Sequence, residues 1–329
     1  MGEVRAPIRI SHLPSPISTR PIMFLLFPGQ GSQKPGMAKD LVEAFPAARD
    51  VFARADEALG ATLSTLCFDG PAEELTLTHN AQPALLAHGA AVWAVVKDTL
   101  AAKVQGAAGH SLGEFSAYHA AGALPLEDAV RLVRRRGELM YETGVQVPGA
   151  MAAILGTLTR SIEEICTEAS AQGVVVPANY NNTDQIVISG EVAAVEAAME
   201  LAKAAGAKRA LRLQVSGAFH SPLMAPAAAG LGEALAAAHW RAPEVPVWSN
   251  VTAEAVGDAA TAKDLLLRQL TSPVRWVEVV RNVAARFPGT TFVEMGPGAV
   301  LSGLVKRLAP DCKTLTCGTV AEVEALLNG

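Results

Sequence analysis

The sequence has little cysteine and no excess of basic charge, and each shortage excludes a class of protein. Its 329 residues include four cysteines, none in a C-x-x-C pair or at a zinc-binding distance from histidine. We therefore predict reduced thiols in a cytoplasmic protein, with neither a disulfide framework nor a metal centre. The formal net charge of −5 argues against a nucleic-acid partner, because such proteins usually carry a basic face.

Long apolar runs are also lacking. The longer uncharged stretches are broken by proline, glutamine, histidine and glycine, so we predict no membrane span. Residues 1–21 hold four prolines and no apolar run of secretory-signal length, and we expect a disordered or extended leader outside the fold. With 50% hydrophobic and 18% charged residues, the rest of the chain can bury a large core.

The pattern of apolar segments after the leader is typical of an α/β fold. Residues 22–27 form a continuous apolar run, which predicts a buried strand. Helical periodicity follows at about 36–59 and 81–102. A short apolar segment at 104–108 then leads into a glycine-rich turn and a helix predicted at about 112–122.

A different rhythm occupies the middle of the chain. Between residues 149 and 215 the predicted order is strand, helix, strand, strand, helix, strand, the last strand running from Arg209 to Val215. This is the ferredoxin-like plan. We therefore predict a small domain at residues 147–215, inserted into a large domain formed by residues 22–146 and 216–329.

The segment Gly109-His110-Ser111-Leu112-Gly113 fits the pattern G-x-S-x-G. Glycines two residues from a serine on either side suit a sharp turn from strand to helix, where larger side chains would clash. The predicted strand before the turn and the helix after it supply that context. Ser111 is therefore a candidate nucleophile.

His220 is the candidate base for Ser111. It follows an alternating strand and a loop that contains Gly217, and Ser221-Pro222 after it is a favourable start for a helix. Such a crossover from strand to helix lies at the edge of a sheet where α/β proteins bind ligands. The alternative is that His220 has a structural role.

Arg136 lies on the apolar face of a predicted helix. At about 100° per residue, Ala129, Leu132, Val133, Leu139 and Met140 all fall within about 60° of it. A buried guanidinium needs an anion, because its isolated burial is costly. The anion is either an internal aspartate or glutamate or a substrate carboxylate held by both arms of the guanidinium.

Five segments together resemble the malonyl-CoA:acyl-carrier-protein transacylases, within the acyltransferase family of fatty-acid and polyketide synthesis. In chain order they are FPGQGSQ, GHSLGEFSA, VRRRGELM, VSGAFHSPLM and VEMGPG. The resemblance extends from about Met23 to the C-terminus. It implies a large α/β-hydrolase-like domain interrupted by a ferredoxin-like one, and it implies malonyl transfer between thiols without a bound cofactor.

The resemblance also implies roles for particular residues. Ser111 resembles the nucleophile and His220 its general base, with the main-chain carbonyl of Gln269 as the partner of the histidine. Gln30 and Leu112 resemble the backbone donors of the oxyanion hole. Arg136 resembles the arginine that binds the malonyl carboxylate. We expect a monomer that binds malonyl-CoA and an acyl carrier protein carrying phosphopantetheine.

Two shorter motifs are also interpreted by resemblance. The GAFH sequence at residues 217–220 is similar to the malonyl-selecting form found among polyketide acyltransferases. Asn179-Tyr180-Asn181 resembles an N-x-N segment of the family's small domain.

Three alternatives remain at this point. A trans-acting polyketide acyltransferase would use the same chemistry with a different carrier protein. An esterase or thioesterase of the α/β-hydrolase type is disfavoured, because its histidine lies near the end of the chain and here 109 residues follow His220. A non-catalytic module that binds carrier proteins would have no need to keep Ser111, His220 and Arg136 together.

Overall fold

The computed structural model describes residues 22–328, so the predicted leader lies outside the described residues. The ten strands of this region are β1 Met23–Phe27, β2 Val104–Gly109, β3 Ala150–Leu155, β4 Val175–Asn182, β5 Gln185–Gly190, β6 Arg209–Arg212, β7 Val247–Trp248, β8 Ala255–Val256, β9 Thr291–Met295 and β10 Lys313–Cys317. Its fourteen α-helices are α1 Lys39–Ala44, α2 Pro46–Leu59, α3 Leu63–Asp69, α4 Ala72–Thr76, α5 Thr78–Leu100, α6 Gly113–Ala120, α7 Leu126–Gln146, α8 Ile162–Ala169, α9 Val192–Ala204, α10 Ala228–Ala237, α11 Ala259–Arg268, α12 Trp276–Arg286, α13 Val300–Leu308 and α14 Val320–Asn328.

The larger sheet has six strands in the order β10-β9-β1-β2-β7-β8. Its pairs are parallel except for the edge strand β8, which runs antiparallel to β7. Side chains alternate along β1, so that Leu25 and Phe27 join the core on one face while Phe24 and Leu26 join the core on the other. Because β1 is buried on both faces, its sequence is an unbroken apolar run.

The smaller sheet is antiparallel, with four strands in the order β4-β5-β3-β6. Its elements follow one another as β3-α8-β4-β5-α9-β6, the predicted order. Helices α8 and α9 share a separate apolar core with this sheet. The chain is therefore a mixed α/β protein with one largely parallel and one antiparallel sheet.

One predicted helix is divided in the structure, and one predicted strand is shorter. The helix predicted over 36–59 is two helices, because Phe45 is extended before Pro46 and a residue that precedes proline disfavours the helical conformation. The strand predicted to reach Val215 ends at Arg212. Leu213, Gln214 and Val215 leave the sheet there and line a cleft.

Helix α5 is the central helix of the larger unit. With the short helical turn that follows it, the stretch Thr78–Lys103 is the one part of residues 22–328 long and apolar enough to cross a membrane. Most of its apolar window, 61%, is buried inside the protein, where α2 and α7 pack along it. That packing is typical of a core helix.

Candidate active site

Ser111 lies at the turn between β2 and α6, and its backbone is strained. Its φ of 53° is in the left-handed region, which few residues other than glycine adopt. A Cβ added at Gly109 would lie 1.9 Å from the carbonyl of Gly113, and one at Gly113 would lie 2.2 Å from the carbonyl oxygen of Phe27. Both glycines of the G-x-S-x-G segment are therefore sterically required.

The imidazole of His220 faces Ser111. The two side chains are joined by a hydrogen bond of 2.8 Å between Ser111 Oγ and His220 Nε2. On the other side of the ring, Nδ1 lies 2.9 Å from the carbonyl oxygen of Gln269 and 3.2 Å from that of Ser272. Carbonyls only accept, so Nδ1 carries the proton and Nε2 is left to accept the proton of the serine.

The environment keeps His220 neutral. Burial lowers its pKa to about 3, and the neighbouring Arg136 contributes to the decrease. A neutral imidazole whose free nitrogen accepts from a hydroxyl is poised as a general base. Ser221 caps the short helix that follows, as predicted from the Ser-Pro pair, and so fixes the chain beside the histidine.

Arg136 projects from α7 into the same site and is almost fully buried. Its Nη2 donates to Ser111 Oγ at 3.1 Å and to the side-chain oxygen of Gln269 at 3.0 Å, and its Nη1 donates to the side-chain oxygen of Gln82 at 2.7 Å. Burial lowers its pKa to about 10, so the group is still a cation at neutral pH. The ring of Phe115 lies 5.7 Å from the guanidinium carbon.

No carboxylate pairs directly with this cation. Among residues 22–328, none of the ion pairs within 4.0 Å includes Arg136. Gln82 takes one hydrogen of Nη1, and Gln269 and Ser111 Oγ take the two hydrogens of Nη2. One hydrogen on Nη1 therefore has no acceptor among these residues. Among these residues Glu114 acts on the cation only through space, raising its pKa without a direct ion pair, so the arginine remains available to a substrate carboxylate.

The three side chains line one cleft of about 290 Å³ between the two sheets. Gln30 and Leu112 also line it. Within the part of the chain that the structure describes, neither of their backbone N–H groups has an acceptor. The Gln30 side chain is held by Thr78, whose hydroxyl donates to it at 2.9 Å.

The N-x-N segment, in the smaller sheet, contacts the turn that carries Ser111. Asn181 accepts a hydrogen bond of 2.8 Å from Nε2 of His110, the residue before the serine. Asn179 lines the cleft, whereas the Tyr180 hydroxyl turns away to Glu163. His110 also packs against Trp276.

Several residues of the site are missing from the sequence-based prediction. Glu114, Asn250 and Gln82 are buried and contact the candidate residues, but they lie far apart in the chain. The sequence contains one signal for these residues: the carboxylate of Glu114 stands within the apolar segment that follows Ser111. Among residues 22–328, no group of three or more His, Cys, Asp or Glu side chains is placed to hold a metal ion.

Comparison with known proteins identifies the class to which this fold and cleft belong. A family model described as the acyl transferase domain matches residues 24–319, and the chain belongs to this family of enzymes. A curated relative from Bacillus subtilis, malonyl CoA-acyl carrier protein transacylase, is 50% identical over 304 residues, which cover 92% of this chain and 95% of the relative.

Two solved structures show the same likeness. The crystal structure of an acyl-carrier-protein S-malonyltransferase from Bartonella henselae has a TM-score of 0.90 and 46% identity, covering 93% of this chain and 98% of that one. A malonyl-transacylase in complex with its type II polyketide synthase acyl-carrier protein has a TM-score of 0.89 and 42% identity, covering 93% of this chain and 99% of that one.

Proposed function

We propose that the protein transfers a malonyl group from malonyl-CoA to the phosphopantetheine thiol of an acyl carrier protein in fatty-acid synthesis. The names of its relatives support this activity. The observation that carries the substrate choice is Arg136, a buried cation in the cleft without an ion-pair partner among residues 22–328. Malonyl brings the missing carboxylate, and acetyl does not.

The first half of the reaction acylates Ser111. His220 Nε2 removes the hydroxyl proton as Oγ attacks the thioester carbonyl, and the resulting oxyanion accepts from the backbone N–H groups of Gln30 and Leu112. The tetrahedral adduct collapses, the carbon–sulfur bond breaks, and the proton on His220 passes to the leaving thiolate of coenzyme A. Malonyl remains on Ser111 as an ester.

The second half reverses these steps with a different thiol. His220 removes the proton of the phosphopantetheine thiol, the sulfur attacks the ester carbonyl, and the proton returns to Ser111 Oγ as the serine leaves. The malonyl carboxylate takes the Nη1 hydrogen that Gln82 leaves free and replaces Ser111 Oγ as an acceptor on Nη2, so the acyl group is fixed throughout. All the groups required are side chains or backbone of this chain, and the carrier brings the phosphopantetheine.

The same proposal includes the domain organisation. Residues 22–146 and 216–329 form an α/β-hydrolase-like domain, and residues 147–215 form a ferredoxin-like one. The parallel order of five strands supports the first assignment, and the order β4-β5-β3-β6 with two helices supports the second. We also propose that the enzyme is a cytoplasmic monomer whose partner is the carrier protein.

One second function has a specific observation in its favour. The relative solved with a polyketide synthase carrier protein is 42% identical, so a malonyl-transacylase of polyketide synthesis fits the same chemistry. The esterase reading is disfavoured by the partner of His220, which is a pair of backbone carbonyls where those enzymes use a carboxylate.

A single labelling experiment tests the proposal. The protein is incubated separately with malonyl-CoA, acetyl-CoA and methylmalonyl-CoA, and digestion with mass spectrometry looks for an acyl group on Ser111. Holo carrier proteins of fatty-acid and polyketide synthesis are then added, and the rate of transfer to each is measured. A stable malonyl group on Ser111 that passes faster to the fatty-acid carrier is expected. Absence of a malonyl adduct would overturn the assignment.

A further inference from the structure

Glu114 is a fully buried carboxylate that the mechanism above does not use. It lies in the first turn of α6, three residues after Ser111. Its Oε2 accepts two hydrogen bonds, from the side-chain amide of Gln269 at 2.7 Å and from the backbone N–H of Asn250 at 3.0 Å. Its Oε1 has no partner among residues 22–328. Such a group is costly to bury, so its contacts need an explanation.

The contact with Gln269 determines which way that amide points. Arginine only donates, so the oxygen of the Gln269 side chain must face Arg136, and its nitrogen must face the other way. There the nitrogen meets Oε2 of Glu114 and, at 3.1 Å, the backbone oxygen of Ser111. A carboxylate only accepts when ionised, so Glu114 and Arg136 together permit a single orientation of the amide.

Gln269 contacts Ser111, His220 and Arg136. Its side chain binds Arg136 and the Ser111 backbone, while its own carbonyl accepts from Nδ1 of His220. A reversed amide would turn a donor toward Arg136 and displace the guanidinium. Glu114, on the far side of Gln269, is the nearest acceptor that holds the amide in this orientation, at 2.7 Å against 3.1 Å for the Ser111 carbonyl.

The contact with Asn250 reaches the strained bend. The Asn250 side chain accepts from the backbone N–H of Ser111 at 2.7 Å and donates to the carbonyl of Gly109 at 2.7 Å, so it bridges the two ends of the turn. Glu114 holds the backbone of Asn250. One carboxylate thus fixes both the turn that carries Ser111 and the amide that orients Arg136.

We infer that Glu114 is a positioning residue, whose carboxylate holds Gln269 in the orientation that presents Arg136 to the substrate carboxylate. This inference rests on the proposed function. Burial raises the pKa of Glu114 to about 7, and the contacts with Asn250, Gln269, Arg136 and the Ser249 side chain oppose the increase. Without the carboxylate, the cleft keeps the positive charge of Arg136 and still attracts an anion. The guanidinium is no longer held in position for the substrate carboxylate, so we expect turnover to be affected and binding not.

Glu114→Leu is the first variant, because leucine is similar in volume and has no oxygen that could still accept from Gln269. We expect kcat for malonyl-CoA to fall about tenfold because the fork is misplaced, with KM not raised and with acetyl-CoA turnover changed less than threefold. In an Arg136→Ala background the same substitution should have no selective effect on malonyl, because Glu114 acts through the arginine. Glu294→Leu is the matched control: Glu294 is another buried carboxylate that binds two backbone N–H groups, and the malonyl-to-acetyl ratio should not change.

Gln269→Met removes the same link from its other end and keeps the carbonyl that His220 uses. It should reproduce the selective loss of malonyl turnover, and it keeps the test valid if Glu114→Leu does not fold. A malonyl kcat within twofold of the parent in a folded variant, or an equal loss for malonyl and acetyl, would overturn the positioning role. Malonyl-Ser111 is measured first in the unchanged protein, since its absence there contradicts the proposed function itself.

Discussion

Replacement of Arg136 by alanine should convert a malonyl-selective site into one that hardly distinguishes malonyl from acetyl. The guanidinium has one Nη1 hydrogen free after it binds Gln82, Gln269 and Ser111 Oγ, and a substrate carboxylate can take that hydrogen and replace Oγ on Nη2. A hydrogen bond to a charged group contributes about 1.5–3 kcal/mol, which corresponds to roughly ten- to a hundredfold in rate. We therefore expect kcat/KM for malonyl-CoA to fall by about that factor relative to acetyl-CoA.

The acetyl rate is the internal reference in this assay. Arg136→Ala also leaves the oxygens of Gln82 and Gln269 without their donor, which changes the site for every substrate equally, so the ratio of the two rates isolates the carboxylate contact. Arg135→Ala is the matched control, because that arginine lies next in the helix and pairs at the surface with Glu138. An unchanged malonyl preference in folded Arg136→Ala would refute the reasoning.

The rate of hydrolysis of the acyl-enzyme is a second measurement on the same variant. A malonyl group fixed by Arg136 leaves few paths for water, so the acyl-enzyme of Arg136→Ala should hydrolyse faster than that of the parent protein. Equal rates would contradict this. Ser111→Ala should form no acyl adduct in mass spectrometry while retaining its fold, and a persistent adduct would place the nucleophile elsewhere. His220 should stay neutral by NMR from pH 8 to pH 5, because burial lowers its pKa to about 3. The unfolded ring gains its proton near pH 6.5, so folding stability should decrease as the pH falls below that value. A titration midpoint above pH 6 in the folded protein would contradict the assignment. Gly113→Ala should reduce the free energy of unfolding by about 3 kcal/mol or more, because its Cβ would lie 2.2 Å from a carbonyl oxygen, whereas Gly303→Ala in α13, with open space around it, should stabilise the protein by about 0.5–1 kcal/mol.

Much of this site is readable from local patterns. The bend at Ser111 follows from two glycines at fixed spacing, and the placement of Arg136 follows from the periodicity of one helix. Both are properties of a few consecutive residues. The order of strands and helices in the middle segment is predictable for the same reason, because each element has its own apolar period.

The remainder depends on contacts between distant segments. Asn250 meets Gly109 and Glu114 across 141 and 136 positions, and no local pattern reports such a pairing. The broken helix at Pro46 is a different case: the apolar period continues through it, but the proline prevents Phe45 from staying helical. Apolar periodicity predicts which face of a helix is buried, but it does not show whether the backbone can be helical at every residue.

Contacts from distant segments hold the two strained residues of the site in place. Ser111 and His220 both have positive φ, at 53° and 57°, a conformation that costs of the order of 1–3 kcal/mol for each residue. Neither could be maintained by its own loop. Asn250 holds the first by both ends of the turn, and the carbonyls of Gln269 and Ser272 hold the ring of the second, so the strain is opposed by chain segments that come together only in the folded protein. The oxygen and the imidazole are therefore fixed 2.8 Å apart before any substrate arrives, and the acyl group has to align only itself.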